Sequence, residues 1–87
     1  MATVEIYTWQ FCPFCLRAKS LLKQKGVEFL EHQIDGDQEA RLKMSQRAEG
    51  RSTLPQIFIN NKGIGGCDEL YELEDNKLLN ELLGIGT

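Results

Sequence analysis

The chain has 87 residues, 41% of them hydrophobic and 26% charged, with a formal charge of −3. This is the length of one small domain, taken as residues 1–87, and the composition of a globular chain rather than a disordered one. Folding at this size leaves room for one thin core and one site, which excludes a two-domain enzyme with its own nucleotide pocket, and the acidic balance argues against a nucleic-acid partner, which would require a basic face.

Val4 and Ile6 alternate with Glu5 and Tyr7 up to Thr8, which predicts a strand. Trp9-Gln10-Phe11 then leads into Cys12-Pro13-Phe14-Cys15. Pro13 suits the first turn of a helix, where its missing N–H costs nothing. From there to Lys25, residues Cys15, Ala18, Leu21 and Leu22 recur at helical spacing, and Gly26 supplies the stop. Val27 to Ile34 is β-rich and predicts a second strand. Asp35-Gly36-Asp37 makes a turn, with Asp37 as cap of a helix through Ala40, Met44 and Ala48 that ends at Gly50. After Pro55, Gln56-Ile57-Phe58-Ile59 predicts a third strand, and Asn60-Asn61-Lys62-Gly63 turns it back into a short partner around Ile64. Leu70, Tyr71, Leu78, Leu79, Leu82 and Leu83 predict a C-terminal helical region broken near Asp75-Asn76. The order β-α-β-α-β-β-α opens with a right-handed βαβ unit. The fold class is therefore α/β, a four-stranded mixed sheet flanked by helices.

Apolar runs stop after a few residues, so no membrane partner is expected. Met1-Ala2-Thr3-Val4-Glu5-Ile6 has neither a basic n-region nor an apolar h-region, and the expected location is the cytoplasm. In that reducing compartment structural disulfides are rare, so a close cysteine pair points to catalysis or to metal. Three cysteines are present, Cys12, Cys15 and Cys67.

Cys12 ends a loop and opens a helix, where unpaired N–H groups and the helix dipole both favour negative charge. Its thiol is therefore expected below the free value of about 8.5. Cys15 lies one turn inside the same helix, close enough to form a disulfide but shielded. Two unequal thiols result: Cys12 attacks and Cys15 resolves. Arg17, Lys19, Lys23 and Lys25 follow with no acidic residue among them, and Lys19 is the candidate to lower the thiolate further, against the alternative of a solvated helix face. Zinc is the competing use of the pair. Its four ligands are available by count as Cys12, Cys15, Cys67 and His32, but Pro13 at a rigid helix start splays the pair less freely than a zinc knuckle would.

Pro55, taken alone, reads as a strand-entry proline with a trans bond; a cis bond would turn the backbone of Leu54 outward as a short edge for an extended peptide. Gly65-Gly66-Cys67-Asp68 lies between a strand and a helix, so that backbone can approach a ligand and the helix N-terminus can hold a carboxylate. Asp68 can accept from an ammonium group or serve as a helix cap. Cys67 reads as a small, semi-buried thiol. Arg41, Lys43, Arg47 and Arg51 cluster in one segment, and Asp68, Glu69, Glu72, Glu74 and Asp75 in another, a layout that suits glutathione.

Val4-Glu5-Ile6-Tyr7-Thr8 with Cys12-Pro13-Phe14-Cys15, then Ile34-Asp35-Gly36, Thr53-Leu54-Pro55-Gln56-Ile57-Phe58-Ile59 and Ile64-Gly65-Gly66-Cys67-Asp68-Glu69-Leu70, together resemble the dithiol glutaredoxins. The resemblance spans nearly the whole chain and implies a thioredoxin-like fold with Pro55 cis. It implies a glutathione-dependent thiol–disulfide oxidoreductase acting on protein disulfides and glutathionylated proteins, with glutathione as co-substrate, no permanently bound cofactor and no metal, and a monomer. By position, Thr53 and Leu54 would pair with the backbone of the glutathione cysteine, Gly66, Cys67 and Asp68 would hold its γ-glutamyl head, and Arg41 would take its glycine carboxylate. Three departures stand out. Trp9 occupies the place where many members carry a lysine for that carboxylate, and it is expected to pack over the rim of the site. Phe14 replaces the usual tyrosine, keeping the aromatic wall without the hydroxyl. Leu54 replaces the usual valine before the proline. Two other functions compete: a metal module, with zinc or with an iron–sulfur cluster bridging two subunits through Cys12 and glutathione, and a thioredoxin-like carrier reduced by a flavoprotein.

Overall fold

The two residue periods of the sequence become two kinds of element in a computed structural model that describes residues 2–85. In chain order they are β1 (Val4–Thr8), α1 (Pro13–Gln24), β2 (Leu30–Gln33), α2 (Gln38–Arg47), β3 (Gln56–Ile59), β4 (Lys62–Gly65), α3 (Cys67–Asp75) and α4 (Leu79–Leu83). The sheet order is β2-β1-β3-β4. β1 runs parallel to β2 and antiparallel to β3, and β3 pairs antiparallel with β4. This is the four-stranded mixed sheet the sequence implies.

Strand alternation divides the side chains of β1 between two layers. Val4 and Ile6 lie opposite Ile59 and Ile57 of β3. They form one apolar core with Ala18, Leu21 and Leu22 of α1, Leu70 of α3, and Leu79 and Leu83 of α4. Glu5 and Tyr7 point the other way, beside Phe58 of β3 and His32 of β2. α2 covers this second face, and the Arg47 guanidinium lies 4.0 Å from the centre of the Phe58 ring.

One boundary differs from the sequence expectation. The second strand is only Leu30–Gln33, the stretch that lies opposite β1; Val27 instead sinks into the core, and Phe29 packs against it. The C-terminal helical region is broken where the sequence places the break, giving two helices. α3 ends at Asp75 with Asn76 as its C-cap, Lys77 takes φ 61°, and the N–H groups of Lys77 and Leu78 return to the carbonyls of Glu74 and Leu73 at 3.0 and 2.9 Å. This is a Schellman closure in which a lysine takes the left-handed position usually held by glycine.

Candidate functional site

Cys12 is the N-cap of α1, in an extended conformation, and Pro13 follows in the first helical turn. The Cys12 sulfur accepts a hydrogen bond from the Cys15 N–H at 3.1 Å. One of the orphan donors of the helix start is therefore aimed at the sulfur, and the first turn of α1 holds no acidic residue to oppose a negative charge there. Cys15 is 1% exposed, whereas Cys12 is partly open to solvent. The two sulfurs are joined as a disulfide, with Cα atoms 5.1 Å apart. The inequality read from the sequence is thus present in the burial of the two thiols.

A groove of about 250 Å³ adjoins the dithiol, lined by Phe14, Thr53, Leu54, Pro55, Gly66, Cys67, Asp68 and Glu69. Three separated stretches of chain meet there. The Leu54–Pro55 peptide is cis, as the family resemblance implied and the base rate for proline did not. Gly66 lies against this stretch: a Cβ at Gly66 would stand 3.0 Å from the Pro55 carbonyl oxygen. Only a residue without a side chain lets the two walls approach this closely. At Gly65, φ is +109°, and a Cβ would fall 2.6 Å from Glu69 Oε1.

Two residues that the sequence analysis did not single out build this groove. Glu69 Oε1 accepts from the Gly66 N–H at 2.7 Å, so Glu69, not Asp68, closes the start of α3 and leaves Asp68 exposed in the first turn. The three-residue spacing to Glu69 was the available signal, since a capping carboxylate reaches back from that position. Gln56, 1% exposed, donates from Nε2 to Thr53 Oγ1 at 3.1 Å, while its Oε1 has no partner. A polar residue opening an otherwise apolar strand was its signal.

The remaining candidates lie outside the groove. Lys19 Nζ is 2.9 Å from Glu31 Oε2, which also accepts from the Thr8 hydroxyl at 2.6 Å. Those bonds, the Thr8 hydroxyl foremost, hold the Glu31 carboxyl below the usual carboxylate range. The Lys19 charge is therefore shared with a carboxylate, which reduces what it can lend to a neighbouring sulfur. Arg41 lies in a second cleft with Trp9, its guanidinium 4.9 Å from the ring centre, and its Nε donates to the Ser52 carbonyl at 3.0 Å. Trp9 thus lies in this second cleft, with Arg41 upon its ring.

Cys67 is 4% exposed, and burial pushes its thiol up. It sits in the core beneath α3, whereas His32 lies on the other face of the sheet with its Nε2 3.1 Å from Glu5 Oε1. The four ligands counted for zinc are not drawn together, and no three His, Cys, Asp or Glu side chains among the described residues are placed to hold a metal. No helix among the described residues is long and apolar enough to cross a membrane.

The glutaredoxin family model matches residues 4–64. Over 82 residues the chain is 63% identical to a probable glutaredoxin of Synechocystis, covering 94% of this chain and 75% of that one. Over 83 residues it is 54% identical to glutaredoxin 3 of Escherichia coli, covering 95% and 99%. Among solved structures, the glutaredoxin of Brucella melitensis superposes with a TM-score of 0.84 at 49% identity, covering 100% of this chain and 94% of that one. A buckwheat glutaredoxin–glutathione complex gives a TM-score of 0.88 at 27% identity, covering 95% and 77%. With a helix-capping dithiol and a cis-proline groove on the same end of a four-stranded sheet, the chain belongs to the glutaredoxin family of thiol–disulfide oxidoreductases.

Proposed function

We propose that the protein reduces protein disulfides and glutathione mixed disulfides with glutathione as reductant, residues 1–87 acting as one domain in the cytoplasm. The observation that carries this reading is the Cys12 sulfur at the N-cap of α1, accepting from the Cys15 N–H beside the groove. In the reduced protein the same donor faces a thiolate, which it and the helix dipole stabilise.

The Cys12 thiolate attacks the glutathionyl sulfur of a mixed disulfide. The old S–S bond breaks, the substrate thiolate leaves and takes a proton, and glutathione remains on Cys12. A second glutathione thiolate attacks that glutathionyl sulfur, giving glutathione disulfide and the free Cys12 thiolate. With a protein disulfide, Cys12 forms a mixed disulfide with the substrate. Cys15 then loses its proton and attacks the Cys12 sulfur, releasing the reduced substrate and closing the Cys12–Cys15 bond. Two glutathione molecules reopen it.

The groove supplies recognition. Thr53 and Leu54 offer backbone groups to the cysteine of glutathione, with Gln56 steadying Thr53. The N–H groups of Cys67 and Asp68 lie at the start of α3, where they suit the γ-glutamyl carboxylate, while the Gly66 N–H is held by Glu69 and Asp68 faces the ammonium. Phe14 forms an apolar wall. Lys19 contributes positive potential reduced by Glu31, and Arg41 takes the glycine carboxylate.

Turnover of a small glutathione mixed disulfide, with glutathione present and omitted, tests the reading. Activity is expected only with glutathione. Cys12→Ser should lower it by at least about a thousandfold, the scale of losing an essential nucleophile. Cys15→Ser should keep much of it, because the route through the glutathionyl intermediate uses Cys12 alone. An active Cys12→Ser variant would overturn the assignment, and turnover driven equally well by a flavoprotein reductase without glutathione would favour a thioredoxin-like carrier.

A further inference from the structure

Arg41 is a cation without a carboxylate. Lys19, Lys25, Lys43 and Arg47 each lie within ion-pair distance of a glutamate, but Arg41 has no such partner among the described residues. Asp37, four residues earlier, directs its carboxylate to the Ala40 N–H at 2.9 Å. What holds Arg41 instead is the Trp9 ring, 4.9 Å from the guanidinium carbon, and the Ser52 carbonyl, which accepts from Nε at 3.0 Å. The ring contact limits the tilt of the guanidinium plane, and the hydrogen bond fixes one of its edges. The terminal Nη1/Nη2 edge remains, and that fork matches a carboxylate bidentately. Ser52 immediately precedes Thr53, the first groove residue of that wall, so Arg41 is bonded to the stretch of chain that runs into the groove.

A free arginine side chain loses rotamer freedom when it binds an anion, and a side chain already held loses less. An aromatic face is suited to that holding, because it attracts the guanidinium without neutralising it as a glutamate would. Trp9 is the only tryptophan of the chain and is 38% exposed, a large ring left at the surface in contact with a cation that has no acidic partner among the described residues.

We propose that Trp9 is a positioning residue: its ring presets the Arg41 guanidinium so that the terminal edge receives the free carboxylate at the glycine end of glutathione. The proposal rests on glutathione being the co-substrate. It makes the protein selective for a tripeptide whose terminal carboxylate is ionised.

The test compares two substrates, the mixed disulfide of cysteine with glutathione and the same compound with the glycine carboxylate as its ethyl ester. In the unsubstituted protein the ester should show a KM about three- to tenfold higher, the range of one cation–π-supported contact. Trp9→Ala should raise KM for the acid by a similar factor, the effect falling on KM rather than kcat, and Trp9→Phe should recover most of the loss. Arg41→Gln should match or exceed it, and Trp9→Ala should add nothing in the Arg41→Gln background. None of these changes should move KM for the ester. Equal effects on acid and ester, factors that multiply in the double variant, or no effect of Trp9→Ala would each overturn the proposal. Turnover of acid and ester with the same KM would overturn it while leaving glutathione as co-substrate; no turnover of either would remove both readings.

Discussion

The two faces of the sheet are built from different materials. Beneath α1, α3 and α4, the contacts are aliphatic: Val4, Ile6, Leu22, Ile57, Leu70, Leu79 and Leu83 are all 3% exposed or less. Beneath α2 they are polar and aromatic. Glu5 accepts from both Nη atoms of Arg47, Tyr7 and Asn61 accept from the same guanidinium, and His32 lies against Glu5 and the Tyr7 ring. α1 carries the dithiol, and α2 carries Arg41. Close packing sets the helix that bears the dithiol, and it tolerates little change in volume. Directional bonds fix the helix that bears Arg41, and these respond to charge and pH.

The contrast can be broken most severely from the aliphatic side. Leu22→Ala should cost about 2–5 kcal/mol in chemical denaturation, the range for a buried leucine lost from a tight core, and it should also loosen the setting of α1. A loss under 1 kcal/mol, read against that same range, would mean that the core beneath α1 can collapse around the gap. On the polar side Arg47→Ala should cost less, about 1–3 kcal/mol, the scale of leaving a partly buried, hydrogen-bonded carboxylate without its partner. Its effect should be reduced in a Glu5→Gln background, because the two residues form one unit.

Acid sharpens the comparison without mutation. The Arg47 bonds, and then His32, hold the Glu5 carboxyl below its ordinary value of 4.5 despite burial pushing the other way. A depressed folded value means that this stabilisation is complete above the ordinary value and is lost as pH falls through the folded one. Melting temperature should therefore decline below about pH 4.5, and Glu5→Gln should flatten that decline. Glu31, held down by Thr8 and Lys19, contributes with the same sign. The smallest effect is expected at the exposed pair on the outer side of α2: Lys43→Ala, which removes a contact of 3.4 Å to Glu39, should change stability by under about 0.5 kcal/mol.

Much of this was legible in the sequence because the signals were local. The alternation of Val4 to Thr8, the proline after Cys12, the Asp37 cap and the Asn60-Asn61 turn each state their own geometry within a few residues. Asn60 and Asn61 take φ 53° and 67°, the left-handed region that asparagine tolerates. What stayed hidden involved pairs distant in sequence or residues in unusual positions. Glu5 and Arg47 are 42 residues apart, and nothing near either one predicts the pair. Lys19 shows a clean basic helix face, but its partner Glu31 comes from the next strand. Lys77 ends α3 in a left-handed conformation with no glycine to mark it. In the candidate site, the three groove-forming stretches were readable as a set, while the bonds that steady them, Glu69 to Gly66 and Gln56 to Thr53, depend on where the chain turns.

The seclusion of Cys67 has a chemical consequence. Buried under α3 with its proton held firmly, it is a poor competitor for the other two sulfurs during exchange, so oxidation has one intramolecular outcome and scrambled isomers should not accumulate. Stoichiometric labelling of the reduced protein at neutral pH would accordingly stop short of the third sulfur until denaturant is added.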